Sequence, residues 1–238
     1  MTRKRQSESA PPAKYHGVDA IIDHTPRPSV YLTIGKRGSG KDATTAALLD
    51  EIAEKTGKPV YSPYDPVKFG LPKHWKPYSG GDAFKPHSIY DLSDFHLEMF
   101  ARDWQSDYAG VFIKLVSISR HRDIDFGITT QMTRLIDALV VATIDCLILK
   151  EPSVLADRFE RPELRDITAE AKAHFPEGQG KAEKLAKWER AYVLTDSYPP
   201  FLVDGIKKPS WYSDEMGTIY AEPGSAPSAE QPKSYRIF

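Results

Sequence analysis

Apolar positions along the middle of the chain follow two different periods. Short runs of β-branched and aromatic residues predict buried strands, at 30–34, 59–61, 125–130, 146–149, 191–194 and 201–203. Apolar residues spaced three or four apart predict helices, at 42–55, at 97–120, through Leu135 and Leu139, and within 153–191 with a break at Pro176 and Gly178. Strands that alternate with helices favour a mainly parallel sheet with helices on both faces, so we predict an α/β fold.

The two ends of the chain and one internal segment follow neither period. Residues 1–28 and 223–238 mix serine, proline and charged residues, and we predict that both are flexible, the first with a short strand near 18–22. Residues 62–88 contain five prolines and the pair Gly80-Gly81, a composition typical of a long irregular excursion. We therefore expect one domain over 29–222, with an insertion at about 62–88.

Composition narrows the class of protein. Apolar residues make up 40% of the 238 residues and charged residues 27%, as in globular proteins. The chain has 32 basic and 33 acidic residues, which argues against a globally basic nucleic-acid coat protein but allows a local basic face. The one cysteine, Cys146, fits a reducing compartment. Neither a membrane-length apolar run nor a secretory signal is found, so a cytoplasmic location is expected.

The strongest motif lies between the first predicted strand and helix. It fits G-x-x-x-x-G-K in the context that a phosphate-binding loop requires. Backbone N–H groups of such a loop surround phosphate oxygens, the helix N-terminus adds partial positive charge, and Lys41 would reach the β- and γ-phosphates. The predicted ATP-binding residues are Gly35, Lys36, Arg37, Gly38, Ser39, Gly40, Lys41, Asp42 and Ala43.

The residue after the motif's lysine is Asp42, where a Ser or Thr usually binds magnesium. A carboxylate is also a good ligand for Mg²⁺, so we predict that Asp42 binds this ion together with ATP. The alternative is an acidic residue of the first helical turn with no metal. The G-K-D form resembles the loops of some small P-loop kinases, such as deoxynucleoside monophosphate kinases and phosphomevalonate kinase, over this loop and its helix only.

A longer stretch, about residues 30–150, resembles the FtsK–HerA superfamily of P-loop ATPases, in particular its viral genome-packaging and zonula-occludens-toxin-like members. Those members show an apolar strand ending in D-E-A-H, a helix with an arginine, then R-H, an apolar strand and T-Q. The corresponding residues here, in the same order, are Ser93-Asp94-Phe95-His96, Arg102, Arg120-His121-Arg122 and Thr130-Gln131. The resemblance implies a P-loop NTPase fold.

The resemblance also assigns roles to single residues. Asp94 falls on the family's catalytic glutamate, and Gln131 on its polar sensor of the γ-phosphate or the attacking water. The resemblance also implies an arginine finger supplied to a neighbouring subunit. Arg102 is the principal candidate, and the others are Arg120, Arg122 and Arg134. The alternative for each arginine is a surface ion pair.

The family's magnesium aspartate falls on Ser93, which leaves two registers open. In the first, Asp42 and Ser93 have exchanged the carboxylate and the hydroxyl that face each other across the metal, with Asp94 beside them. In the second, Asp91 is the magnesium ligand and Asp94 is the base. The predicted metal ligands are therefore Asp42, Asp94 and Asp91.

The resemblance implies an ATP-hydrolysing translocase of double-stranded DNA. We expect a genome-packaging ATPase of a virus or mobile element, acting as a homo-oligomeric ring that docks on a capsid or portal, in the host cytoplasm or associated with the virion. Candidate DNA contacts lie between Lys68 and Lys85, with Trp75 and Tyr78 to stack on bases; the alternative is a solvated insertion. The alternative functions are a small P-loop kinase and a nucleotide-binding morphogenesis protein with weak hydrolysis.

Overall fold

The computed structural model describes residues 11–78, 84–93, 119–133, 141–153, 159–213 and 215–216. Their strands are β1 (Ala13–His16), β2 (Val30–Ile34), β3 (Val60–Ser62), β4 (Trp75–Pro77), β5 (Ser88–Leu92), β6 (Ile124–Thr130), β7 (Cys146–Leu149), β8 (Ala191–Thr195) and β9 (Phe201–Asp204). Their helices are α1 (Asp19–Asp23), α2 (Lys41–Thr56), α3 (Pro66–Phe69), α4 (Pro162–Ala173) and α5 (Lys181–Glu189).

The nine strands form one sheet in the order β1-β9-β8-β7-β2-β6-β5-β3-β4. All neighbours are parallel except β8, which is antiparallel to both β7 and β9. The predicted α/β fold with a mainly parallel sheet is confirmed, and so are its six predicted strands to within two residues at either end. The predicted helices at 97–120 and through Leu135 and Leu139 lie wholly or almost wholly outside the described residues.

Apolar side chains cover both faces of the sheet. Alternate residues of β2 point to opposite sides, so that Tyr31 packs under α1 and α2 while Leu32 packs on the side of α4. Because both faces of the sheet are buried, its central strands are continuous apolar runs in the sequence. α2 ends at Thr56 and is capped by Gly57, whose φ of 72° is a left-handed conformation that favours glycine. The position of Gly57 after the apolar period predicts this helix end.

The N-terminal segment differs from the prediction of a flexible arm over residues 1–28. β1 pairs in parallel with β9, so the sheet extends to Ala13. The strand predicted near 18–22 is wrong, because these residues lie in and beside α1, which buries Ile21 in the core beneath the sheet. A helix of five residues is too short to display a helical period, and its consecutive apolar residues therefore resemble a strand in the sequence.

The insertion at 62–88 is more regular than its prolines suggest, because it contains α3 and β4. Trp75 of β4 is buried, and its indole N–H donates to Oδ1 of Asp50 on α2 at 2.8 Å. The same carboxylate accepts from Nε2 of His74 at 2.6 Å and from the indole of Trp211 at 3.0 Å. Trp75 is therefore used to anchor the insertion, and the prediction that it stacks on DNA bases is wrong; Tyr78 likewise packs against Phe84 and Tyr90.

Replacement of Asp50 by alanine is expected to destabilise the fold by about 2–4 kcal/mol, because three ring donors would lose their acceptor together. Urea unfolding followed by tryptophan fluorescence measures this loss. Glu54→Ala, an exposed change one turn further along α2, is the matched control and should stay within about 0.5 kcal/mol of the parent protein. Equal stability of the two variants would contradict an anchoring role for Asp50.

Candidate nucleotide-binding site

The loop from Gly35 to Lys41 joins the end of β2 to the start of α2. Two of its glycines, Gly38 and Gly40, have φ of +77° and +81°, which side chains other than glycine rarely adopt. A third, Gly35, has no room for a side chain, because an added Cβ would lie 2.4 Å from Oγ of Ser39. The loop thus curves tightly in front of a helix of 16 residues, whose first N–H groups point into it.

Both neighbouring strands hold this loop from behind. The N–H of Gly35 donates to the carbonyl of Thr130 at the end of β6, and the N–H of Lys36 donates to the carbonyl of Glu151 just after β7. The carboxyl ends of three parallel strands therefore meet at the loop, where parallel α/β sheets place their ligand sites.

The polar groups of the loop fit a phosphate ligand. Ser39 is buried, and its hydroxyl has no hydrogen-bond partner among the residues described. The ammonium of Lys41 is almost fully buried at the first position of α2 and donates to Oδ2 of Asp42 at 2.7 Å. A cation, a hydroxyl and the helix N-terminus together suit a group with several anionic oxygens.

Two carboxylates lie near the loop, close enough for the charge of Asp42 to act on Asp91. Oδ1 of Asp42 accepts from the hydroxyl of Thr129 on β6 at 2.7 Å. Asp91 on β5 is 1% exposed and accepts from Ser62 at 2.9 Å and from Ser93 at 2.6 Å. Burial raises the pKa of Asp91 to about 6, and the nearby charge of Asp42 acts in the same direction, while the two serine hydroxyls oppose them.

These oxygens suit a magnesium ion. Mg²⁺ prefers one or two carboxylates together with phosphate oxygens and water, and its charge would offset the repulsion between Asp42 and Asp91. The part of the chain that the structure describes holds no group of three or more His, Cys, Asp or Glu side chains arranged to bind a metal ion. The oxygens available there are those of the carboxylate pair and the neighbouring hydroxyls of Ser62, Ser93 and Thr129.

The structure bears on both registers of the acidic motif. Ser93 donates to Asp91, whereas the Asp42 carboxylate accepts from Thr129 and Lys41. The exchange of Asp42 and Ser93 therefore has no direct contact to support it among the residues described, while Asp91 lies where the charge of Asp42 acts on it. Asp94, the predicted base in either register, falls outside the described residues.

The remaining candidates lie in different places. Gln131 directly follows β6, and its side chain is exposed. The preceding residue is Thr130, whose carbonyl accepts from the N–H of Gly35. Arg120 forms an ion pair with Asp145 at the amino ends of β6 and β7, away from the loop of its own chain. Arg102 and Arg134 lie outside the described residues, so their proposed role as arginine fingers stays a prediction.

Sequence reasoning missed the residues that reach this site from elsewhere in the chain. Ser62 comes from the end of β3 and Thr129 from β6, 29 residues from Asp91 and 87 residues from Asp42 respectively. Each is a polar residue near the carboxyl end of a buried parallel strand, and this position is the signal that could have found them.

The fold is that of P-loop NTPases. Among solved structures, the chain is similar to the genome-packaging NTPase B204 of Sulfolobus turreted icosahedral virus 2 in complex with ATP-γS, with 9% identity over 75% of this chain and 98% of that one and a TM-score of 0.51. It is equally similar to the DNA-packaging ATPase B204 of Sulfolobus turreted icosahedral virus, with 12% identity, the same coverage and a TM-score of 0.51.

A third similar structure is the cytoplasmic domain of the type VII secretion ATPase EccC of Thermomonospora curvata. It has 12% identity over 79% of this chain and 26% of that one, with a TM-score of 0.51. The resemblance to viral genome-packaging ATPases that the sequence predicts is thereby confirmed for the fold. No protein-family model matches the chain, and no curated protein sequence matches it. Among the described residues, no helix is long and apolar enough to cross a membrane.

Proposed function

We propose that this protein is an ATP-hydrolysing motor that moves double-stranded DNA, as a genome-packaging ATPase of a virus or mobile element. The observation that carries the proposal is the order of three strands at the site. β6 lies between the loop strand β2 and the acidic strand β5, so Thr129 and Gln131 stand between the phosphate-binding loop and Asp91. A polar strand end in this position can orient a water for attack on a terminal phosphate.

Each residue has a separate task in this proposal. The N–H groups of residues 35–43 and the ammonium of Lys41 bind the phosphates of ATP. Asp42 and Asp91 hold Mg²⁺, which would neutralise charge on the phosphate oxygens when bound. Asp94 takes the proton of the attacking water, Gln131 orients that water, and Arg102 reaches the site of a neighbouring subunit in a ring.

The test of this function is ATP hydrolysis measured with and without double-stranded DNA. The expected result is phosphate release in the absence of any acceptor, accelerated by DNA. Phosphate transfer to a nucleotide acceptor would favour a small P-loop kinase instead. Nucleotide binding without turnover would favour the morphogenesis protein. Mass measured by size-exclusion chromatography with an ATP analogue tests the predicted ring.

The DNA contact we propose is the exposed basic face formed by α3, β4 and the turn between them. Its lysines are Lys68 in α3, Lys73 in the turn and Lys76 in the edge strand β4, and all three are exposed. Because Trp75 and Tyr78 are used for packing, this face offers ammonium groups to DNA phosphates without base stacking. Such contacts are independent of DNA sequence and weaken as the salt concentration rises.

Changing these three lysines together to alanine is expected to remove most of the stimulation by DNA, while ATP hydrolysis without DNA stays within about twofold. The control replaces three exposed lysines elsewhere on the protein, Lys14, Lys172 and Lys207, and so removes the same charge. Initial rates at several DNA concentrations and two salt concentrations measure the effect. If both triple variants lose stimulation equally, the effect comes from net charge, and the proposed DNA face is wrong.

A further inference from the structure

One side of the phosphate-binding loop is covered by α5. The indole of Trp188 lies so close to Gly40 that a Cβ added to this glycine would be 2.5 Å from the ring. Gly40 immediately precedes Lys41 and is the N-cap of α2. Trp188 is half-buried, so one part of its ring packs on the loop and another part reaches solvent. Movement of the loop at Gly40 therefore requires movement of Trp188.

A second connection runs behind the loop through Lys150. This residue follows β7, has no exposed surface, and its ammonium donates to the carbonyl of Trp188 at 2.5 Å. Its backbone N–H donates to Ile34 at the end of β2, and its Cβ lies 2.7 Å from the place where Gly35 would carry one. Burial lowers the pKa of Lys150 to about 7, because a charged ammonium loses its hydration when it is buried in the core. Placing a lysine at this position therefore costs folding free energy. Packing alone does not explain that cost, because an apolar side chain would fill the same space.

A third connection is an ion-pair bridge at the surface. The carboxylate of Glu151 contacts Lys36 in the loop at 2.7 Å and Lys187 in α5 at 3.3 Å. The loop is therefore held to α5 at both of its ends, through Trp188 at Gly40 and through Glu151 at Lys36.

We propose that α5, through Trp188 and Lys187, is a clamp that holds the phosphate-binding loop in the conformation that receives ATP. This inference rests on the proposed nucleotide-binding function. A loop with three glycines loses more conformational entropy when it is ordered than other loops do. Contacts that order it before ATP arrives remove this cost from binding. Trp188 and Lys187, with their supports Lys150 and Glu151, are accordingly positioning residues.

The clamp predicts an effect on affinity with little effect on turnover. Trp188→Ala is expected to weaken ATP binding about tenfold, while the rate at saturating ATP stays within about threefold, and Trp188→Phe should restore most of the affinity. Trp211→Ala is the matched control, because it removes an indole of the Asp50 network; it should lower stability without changing ATP affinity. Isothermal titration calorimetry with ATP-γS and steady-state kinetics measure the two quantities.

Tryptophan emission gives a readout that a purely structural role would not change. Titration with ATP-γS should alter the emission of the parent protein and of Trp211→Phe, but not that of Trp188→Phe. If Trp188→Ala does not fold, Glu151→Gln breaks the surface bridge while leaving the core intact, and we expect it to weaken ATP binding about threefold.

The outcomes separate this inference from the function on which it rests. If the parent protein binds no ATP-γS, the proposed function and the clamp are both wrong. If the parent protein binds it, but the affinity of Trp188→Ala and of Glu151→Gln is unchanged, the clamp is wrong and the proposed function stands. A weaker affinity in Trp188→Ala together with normal binding in Trp211→Ala supports the clamp.

Discussion

Lys41→Ala is expected to abolish measurable ATP hydrolysis and to weaken binding of ATP-γS by at least about 100-fold. The ammonium of Lys41 is buried at the first position of α2, so its charge acts on the phosphates at low local dielectric and together with the helix N-terminus. Phosphate release measures the first effect, and calorimetric titration measures the second.

The matched control for this change is Lys55→Ala, in the last turn of the same helix. Lys55 forms exposed ion pairs with Asp19 and Glu51, so its loss should cost less than about 1 kcal/mol of stability and leave hydrolysis within about twofold of the parent protein. Hydrolysis by Lys41→Ala at the parent rate would contradict the proposed ATPase function. Unchanged binding of ATP-γS by this variant would contradict the two alternative functions as well, since each of them requires nucleotide bound at this loop.

The sequence predicted those features that depend on neighbouring residues. The β-branched run at 30–34, the glycines of the loop and the stop at Gly57 each act through local backbone conformation, and the structure shows them where they were expected. Both ends of the strand at 146–149 follow from the sequence, because a strand that is buried on two faces consists of one continuous apolar run.

Features that depend on distant partners were missed. Asp50 of α2 binds His74, Trp75 and Trp211, which lie 24, 25 and 161 positions further along the chain. Trp188 packs on Gly40 although the two residues lie far apart in the sequence, so no local pattern of apolar residues predicts their contact. The antiparallel direction of β8 depends on the path of the chain between β7 and β8, and no pattern within residues 191–195 predicts it.

The acidic half of the site shows why its register could not be settled from spacing alone. Asp91 lies near the end of β5 and Ser93 directly follows this strand, two residues further along, so either can be placed opposite Asp42 in an alignment. Their environments differ, however, because Asp91 is a buried carboxylate held by two serines, whereas Ser93 is one of its donors. This difference gives the two registers different consequences when each residue is changed.

Asp91→Asn is expected to lower ATP hydrolysis by at least about 100-fold while leaving the fold as stable as before or more stable. Because the pKa of Asp91 is raised to about 6 from an ordinary value of 3.8, the ionised carboxylate destabilises the fold above pH 6. That cost disappears as the pH falls below 4, where the acid is protonated in both the folded and the unfolded protein. In EDTA at pH 8, unfolding of Asp91→Asn should require up to about 3 kcal/mol more than that of the parent protein, and the difference should shrink towards pH 4.

Ser93→Ala decides between the registers. If Asp91 holds the magnesium ion, loss of the Ser93 hydroxyl removes one donor to Asp91, so hydrolysis should fall only about tenfold and stability at pH 8 should decrease. If Ser93 and Asp42 have exchanged roles across the metal, Ser93→Ala should be as inactive as Asp91→Asn.

Urea unfolding at pH 4 and pH 8, with and without Mg²⁺, separates the two effects, because Mg²⁺ should stabilise the parent protein at pH 8 but not Asp91→Asn. Equal stabilisation of both proteins by Mg²⁺ would show that Asp91 is not a ligand.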